Sequence, residues 1–361
     1  MPPDHHQQFR DAVRSAHDRG TPLCIRGAGS KDFLGRPPRG EPLDVGEHRG
    51  IVDYAPTELV ITVRAGTPLD ELEAELAAQR QMLAFEPPRF GAGATIGGTV
   101  ACALAGPRRA FAGGVRDALL GCRLLDGRGE LMHFGGEVMK NVAGYDVSRL
   151  MAGAMGTLGV LLELSLRVVP CPETSLSLRQ QCGATEGLQR MRALCRRPWP
   201  LAGLCHDGEA LLIRLAGSAA GVEAAARTIG GEPLDEDAWT AIREQTHPFF
   251  ADTLAGDAAL WRLDLAPASP LPAWGRWFID WAGYRRWLIT DREPAAIHAW
   301  AENHGGHARL FRRAQDTGEA PDARPPALRA LHQRLKAAFD PRGILNPGRL
   351  YAEPEPNPSR S

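Results

Sequence analysis

The residues of this chain best placed to do chemistry are glycines, acting through their backbone amides. The first half carries three clusters of them: Arg26-Gly-Ala-Gly-Ser30, Thr95-Ile-Gly-Gly98 running on to Gly113-Gly114, and Gly153-Ala-Met-Gly-Thr-Leu-Gly159. Glycine is used this densely where a backbone must turn with φ > 0 or come close to something flat or anionic. Gly27, Ala28, Gly29, Ser30 and Lys31 follow a strand-like run, so their N–H groups would form a nest for two phosphates, with the Ser30 hydroxyl and Lys31 able to assist. A tight strand exit without a ligand explains that segment equally well. Thr95, Ile96, Gly97 and Gly98 open onto a short apolar helix, where paired glycines would let a planar ring lie on the backbone. Close packing of helix on strand is the competing explanation there. Gly113, Gly114, Arg116 and Asp117, then Gly156, Thr157, Gly159 and Val160, add further amides, and agreement among four segments points to one long ligand, most economically a dinucleotide. Neither G-x-G-x-x-G nor G-x-x-x-x-G-K-[ST] occurs, which sets aside two common nucleotide folds.

Other candidates are weaker. Seven cysteines, at 24, 102, 122, 171, 182, 195 and 205, include no C-x-x-C pair, so no disulfide framework, iron-sulfur cluster or zinc site is signalled. Any electron relay beyond the dinucleotide must then lie on another chain. Lys140 and Tyr145-Asp146 could approach the ligand or fix its loop, although a Tyr-Asp pair capping a helix over 147–151 accounts for them more simply. Arg196-Arg197, Arg285-Arg286 and Arg312-Arg313 could meet a carboxylate or an acidic partner, yet each pair taken singly reads as a solvated edge. Trp274, Trp277, Trp281 and Trp287 suit either a core or a docking surface for another subunit.

A length of 361 residues exceeds what one core usually serves, so two domains are expected. With 43% hydrophobic and 24% charged residues and a net charge of −1, the chain offers no electrostatic case for nucleic acid or an anionic membrane. No apolar run approaches the roughly 18 residues of a spanning helix, and no basic-then-apolar leader is visible. The cytoplasm is the expected compartment.

These residues must be positioned by a mixed architecture. Residues 22–26, 50–54, 58–64, 119–125 and 158–169 read as buried strands bounded by Gly, Pro or Asp. A helix is expected after Thr67-Pro68, with Thr as cap, Pro at its first position, Asp70 and Glu71 in its first turn, and Leu69, Leu72 and Leu76 on one face. Asp126-Gly-Arg-Gly129 reads as a hairpin turn. Beyond Pro170 the glycine clusters stop. Strand-like 176–180, 210–215, 258–265 and 285–290 and helical 186–195, 219–229 and 294–303 describe a second α+β unit. A helix is expected over about 327–339, and the proline-rich 353–361 reads as disordered.

Taken as a set, Arg26-Gly-Ala-Gly-Ser30, Pro88 leading to Thr95-Ile-Gly-Gly98, Gly114-x-x-Asp117, Lys140-x-x-x-Gly-Tyr-Asp146, Gly156-Thr-Leu-Gly159 and Asp340-Pro-Arg-Gly-Ile-Leu-Asn-Pro-Gly348 resemble the FAD-linked oxidases of the vanillyl-alcohol oxidase or p-cresol methylhydroxylase type. The resemblance covers nearly the whole chain. Within that family it is greatest to the FAD-binding subunits of bacterial glycolate oxidases, through the short first loop, Lys-Asn-Val-Ala-Gly-Tyr-Asp146 and Gly306-His-Ala-Arg-Leu-Phe-Arg312.

The resemblance implies an α+β fold with a two-subdomain FAD-binding domain over 1–170 and an α+β cap over 171–313. A segment over 314–351 would return to the FAD domain, leaving a tail from 352 to 361. It implies that residues 27–31 hold the pyrophosphate, that 95–98 and 113–116 run along the phosphate-ribityl part, that 156–160 line the adenine or flavin side, and that Asn346 closes the pocket. Family members with covalent flavin carry a histidine beside the first loop. Here Ser30-Lys31 stands there, implying non-covalent FAD. The partners implied are a paralogous FAD-containing catalytic subunit and an iron-sulfur subunit, acting together on glycolate, with peripheral attachment to the inner membrane through the complex. Catalytic relatives carry His-x-Gly-Asp-Gly-Asn-x-His, whereas this chain has only His304-Gly-Gly-His307, leaving His304 and His307 as weak candidates beside the flavin. A surface turn or, less readily, a His-x-x-His metal site would also account for that phrase.

Overall fold

The computed structural model describes residues 4–37, 39–136, 146–251, 259–312 and 326–350. Its first region is organised by a five-stranded antiparallel sheet in the order Ile51–Ala55, Val60–Arg64, Val160–Arg167, Leu119–Leu125, Leu131–Gly135. The inner strands are near-continuous runs of Val, Ile and Leu because both faces are covered. On one face lie helices Leu69–Ala78 and Ile96–Cys102, with Leu69, Leu72, Leu76, Ile96 and Val100 buried against Ile61 and Leu164. Helix His6–Arg19 buries Phe9, Val13 and Ala16 with Leu125, Val160 and Leu162. The hairpin turn is held by Asp126, whose Oδ1 accepts from the amides of Arg128 and Glu130 at 2.8 and 2.9 Å.

A smaller parallel pair, Leu23–Arg26 beside Glu41–Asp44, sits next to this sheet. Leu345 bridges to Leu23 in parallel, so the segment after helix Pro326–Phe339 returns to the first strand. Helix Leu69–Ala78 starts one residue later than its sequence suggests: Pro68 is its N-cap. The Thr67 hydroxyl is not a cap. It donates to the Arg64 carbonyl at 2.7 Å and accepts from the Gly50 amide at 2.9 Å, tying a strand exit to the neighbouring turn.

The second region is built on an eight-stranded antiparallel sheet in the order Glu232–Leu234, Thr174–Gln181, Ala210–Gly217, Leu201–His206, Arg276–Asp280, Arg285–Thr290, Ala259–Asp264, His307–Arg312. Helices Ala184–Leu194 and Ala219–Ile229 cover part of it through Leu188, Met191, Val222 and Ala225. Trp277, Trp281 and Trp287 are buried and Trp274 packs against Trp277 and Trp300, so the tryptophans form interior rather than a docking surface.

Several contacts among the described residues fasten the regions together. Leu34, Leu104 and Met155 from the first share a core with Trp239, Phe278, Trp287 and Phe311 from the second. Arg214 joins Glu86 at 2.6 Å while also meeting Glu236 at 3.0 Å. The Glu244 carboxylate accepts from the Arg89 and Phe90 amides at 2.9 and 3.0 Å. Among the described residues no helix is long and apolar enough to cross a membrane.

Candidate functional site

A narrow groove of about 110 Å³ runs where strand Leu23–Arg26, the loop after it, the start of helix Ile96–Cys102 and the 155–161 turn meet. Residues 26–32, Thr95, Gly97, Gly98, Gly156, Gly159 and Asn346 line it. The amides of residues 27–31 donate to no other group among the described residues, whereas those of Asp32 and Leu34 close turns onto Gly29 and Lys31. A row of unused donors facing a groove is an anion cradle. The glycines themselves are required by proximity. A Cβ on Gly27 would lie 2.7 Å from Thr95 Oγ1, one on Gly97 2.7 Å from the Ala65 carbonyl, and one on Gly156 2.6 Å from Asn346 Nδ2. The close-packing explanation of the glycines and the ligand explanation of the amides therefore both hold, for different atoms.

Three side chains complete the groove. Lys31 is 6% exposed, and among the described residues its ammonium reaches the Arg89 carbonyl at 3.3 Å and Ser30 Oγ at 3.4 Å. Burial pulls its pKa down, as expected of a cation whose anionic partner would be the ligand. Thr95 caps helix Ile96–Cys102, accepting from the Gly98 amide at 3.2 Å. Asn346 accepts from the Ile25 amide and donates to the Met155 carbonyl, both at 2.7 Å, and so pins the two walls together. A dinucleotide's phosphates fit this donor set: main-chain N–H groups, a hydroxyl and a buried ammonium, with no carboxylate accepting from them.

Beyond Cys102 and Met155, which line both spaces, the groove opens into a wide cavity of about 690 Å³ between the two regions. That volume is in the range of small-molecule sites. Its far wall is one face of the second sheet. Strand pairing sets Arg285, Asp264 and His307 side by side in one row and Trp287, Arg262 and Arg309 in the next. Residues two apart on a strand share a face, so both rows look the same way. Asp264 holds Arg285 at 2.5 Å, with Arg262 at 3.5 Å and His307 Nε2 at 3.6 Å. Burial alone would raise the Asp264 pKa, but the two guanidiniums, the Arg285 hydrogen bond and His307 outweigh it and hold the carboxyl below its usual value. The roof is Trp281, whose ring lies 3.6 Å from the Arg285 guanidinium and 4.5 Å from that of Arg109, and whose Nε1 donates to the Gly106 carbonyl at 2.9 Å. Trp281 and Ala282 both have positive φ, 51° and 56°, a costly backbone for such residues beside a cavity.

Gly114 and Asp117 line the wide cavity, with Asp117 Oδ2 accepting from the Gly114 amide at 2.8 Å. Several residues expected at the ligand lie elsewhere. Ile96 and Val160 are fully buried core, because helix and strand periodicity turns them inward. Pro88 is buried and lines neither space, Gly113 supports the loop against Asp117, and Arg116 points to solvent. The Thr157 hydroxyl donates to the Ala154 carbonyl at 2.7 Å. His304 is stacked on Trp300 and hydrogen-bonded to its carbonyl at 2.7 Å, away from the cavity that His307 lines. No metal-binding cluster occurs among the described residues. Arg285 and Arg286 are buried rather than a solvated edge, the latter holding the Pro270 and Ser269 carbonyls. Lys140 and Tyr145 lie outside the described residues. Asp146, instead of capping, pairs with Arg149 at 3.0 Å. Arg349, whose guanidinium donates to the Asp32 carbonyl at 3.1 Å and lines the groove, carries no glycine signal and was not anticipated from sequence.

The chain belongs to the FAD-linked oxidases: residues 1–135 match the FAD binding domain family and residues 313–350 the C-terminal domain of FAD linked oxidases. FAD is the cofactor of that family. The chain is 50% identical over 353 residues to glycolate oxidase subunit GlcE of Escherichia coli (strain K12), covering 97% of this chain and 98% of that relative. It is also 32% identical over 160 residues to glycolate oxidase subunit GlcD of Bacillus subtilis (strain 168), covering 44% of this chain and 34% of that relative. Alkyldihydroxyacetonephosphate synthase has a similar fold, with a TM-score of 0.66 at 16% identity, over 96% of this chain and 76% of that one.

Proposed function

We propose that this chain is the FAD-binding subunit of a multi-subunit glycolate oxidase. A paralogous flavin chain oxidises glycolate to glyoxylate, an iron-sulfur chain takes the electrons, and FAD is held here without a covalent bond. The observation that carries the reading is the row of unpaired amides at 27–31 beside the buried Lys31 ammonium. Likeness to GlcE over nearly the full length of both chains supports the subunit assignment.

In this reading residues 27–31 receive the pyrophosphate, Gly97 and Gly98 let the ribityl side approach the helix start, and Asn346 with Arg349 keeps the loop in register. Cys102 and Met155, which line both spaces, would border the cofactor where the groove meets the wide cavity. Bound FAD supplies a two-electron acceptor. Ser30 and Lys31 stand in the first loop where relatives with covalent flavin carry a histidine, which supports non-covalent retention.

The test is to purify the chain alone and together with its companion subunits. Expected is one FAD per chain, released into the supernatant on acid precipitation, with dye reduction by glycolate only in the assembled complex. Lys31→Met should lower FAD affinity by about 10–100-fold, the loss of one buried charge-assisted contact of a few kcal/mol. Turnover of glycolate by the lone chain would favour a self-sufficient dehydrogenase of small 2-hydroxy acids. A colourless protein that cannot be reconstituted would favour a cofactor-free scaffold.

A further inference from the structure

One cation of the second sheet is seated on the two loops that flank the phosphate cradle. Arg312 ends edge strand His307–Arg312, and its guanidinium lies 4.1 Å from the centre of the Phe33 ring, 5.4 Å from that of Phe90 and 6.0 Å from that of Phe311. Cation–π attraction acts over such distances, and partial removal from water strengthens it. Arg312 is half-buried rather than the solvated edge its sequence suggests, and among the described residues its Nε has no hydrogen-bond partner. The rings beneath it pack edge to face, Phe33 with Phe90 at 5.5 Å and Phe33 with Phe311 at 5.6 Å. Phe33 follows Lys31 by two positions, in a turn closed by the Leu34 amide on the Lys31 carbonyl at 3.0 Å. Phe90 adjoins Arg89, whose carbonyl receives the Lys31 ammonium at 3.3 Å. One loop therefore carries the lysine, the other carries the carbonyl that steers it, and Arg312 spans both. The second loop is itself costly: Phe90 has a φ of 54°, held by Glu244 of the second region through the Arg89 and Phe90 amides.

We propose that Arg312 is a positioning residue for the cofactor: by holding Phe33 to Phe90 it fixes the Lys31 ammonium beside the amides of residues 27–31, so that the second region sets how tightly the first region binds FAD. The inference rests on the flavin reading. Arg312 touches no part of the dinucleotide in this account and acts through Lys31 alone.

The experiment titrates the flavin-stripped full chain with FAD, read by flavin fluorescence, and with ADP by competition, recording the melting temperature of each flavin-free variant. Arg312→Met, which keeps the aliphatic bulk, should weaken FAD and ADP alike by about five- to tenfold, the worth of one partly desolvated cation–π clamp. Arg312→Lys, which keeps a cation over the rings, should stay within about threefold of wild type. In a Lys31→Met background the Arg312→Met change should cost less than about twofold, because the two residues act through one contact. Arg292→Met removes a cation lying 4.9 Å from the Trp274 ring, elsewhere in the second region, and should leave both affinities unchanged.

Wild-type affinity in Arg312→Met, whatever its melting temperature, overturns the inference. So does an equal loss in the Lys31→Met background, an Arg312→Lys variant as weak as Arg312→Met, or a comparable loss in Arg292→Met, each of which reduces Arg312 to general support. If Arg312→Met fails to fold, Phe33→Leu carries the same comparison in both backgrounds, since it removes the ring beneath the guanidinium and keeps apolar bulk. A wild-type chain that binds neither FAD nor ADP sinks the flavin reading and this inference with it, whereas the variant outcomes sink the inference alone.

Discussion

The groove and the wide cavity adjoin at Cys102 and Met155 yet are made in opposite ways. The groove is mostly main chain, amides and closely packed glycines, completed by the side chains of Lys31, Thr95 and Asn346. The cavity is side chain: guanidiniums, a carboxylate, an imidazole and an indole, projecting from strands whose backbones are already satisfied by their neighbours. A main-chain site has its geometry set by the fold, so few of its side chains, Lys31 foremost, decide what it holds. A side-chain site can be rewritten one residue at a time on an unchanged frame.

Gly97→Val attacks that contrast most directly. The new side chain would start 2.7 Å from the Ala65 carbonyl and 2.8 Å from its Cβ, so backbone must shift. The expected loss is ~1–3 kcal/mol of stability from overpacking, with retained FAD falling below about a tenth of wild type because the strand and helix that frame the groove separate. FAD absorbance per chain and denaturant unfolding would measure both, and normal flavin content would contradict a main-chain site.

Asp280→Asn probes the support behind the cavity. Asp280 is buried beneath Trp281, whose amide it accepts at 2.7 Å, and burial raises its pKa from 3.8 to about 7 against the smaller opposing pull of that hydrogen bond and of Arg285. Because the folded-state value is the higher one, the folded protein binds the extra proton. Stability therefore falls as pH rises from about 4 to 7 and is level beyond. Asparagine keeps the acceptor and removes the charge. The variant should gain about 1–3 kcal/mol at pH 8 and almost nothing at pH 4, read as melting temperature across that range. A gain independent of pH would remove the ionisation from the account.

Thr95→Ala should have the smallest effect. It deletes the cap of helix Ile96–Cys102, worth about 1 kcal/mol, and should leave FAD stoichiometric in thermal shift and absorbance measurements, since the amides carry the binding.

The same contrast explains what could be read from the sequence. Glycine clusters survive as a linear signal because close approach demands that residue type at each point of contact. Residues 27–31, Thr95, Gly97, Gly98 and Asn346, which line the groove, were therefore nameable in advance, and Leu69, Leu72 and Leu76 marked their helix by spacing alone. Ile96 and Val160 were misjudged because proximity in sequence to a glycine does not fix which way a side chain faces. The cavity wall was nearly illegible. Arg262, Asp264, Arg285, His307 and Arg309 become neighbours only when strand Ala259–Asp264 is sandwiched between strands Arg285–Thr290 and His307–Arg312. A register slip of one residue would send every one of them to the opposite face. Strands Leu201–His206 and Arg276–Asp280, which join the two halves of that sheet, follow proline-rich or tryptophan-rich stretches with little alternation to announce them.

Asn346 reaches back across 321 positions to hold the Ile25 amide while grasping the Met155 carbonyl with its other atom. The groove is thereby completed by a residue from the far end of the sequence. The loop that lines the groove is made early in synthesis and the residue that ties its walls together is made late. If the groove holds FAD, a chain truncated ahead of helix Pro326–Phe339 should retain less of it, because the Ile25 and Met155 walls lose the residue that ties them.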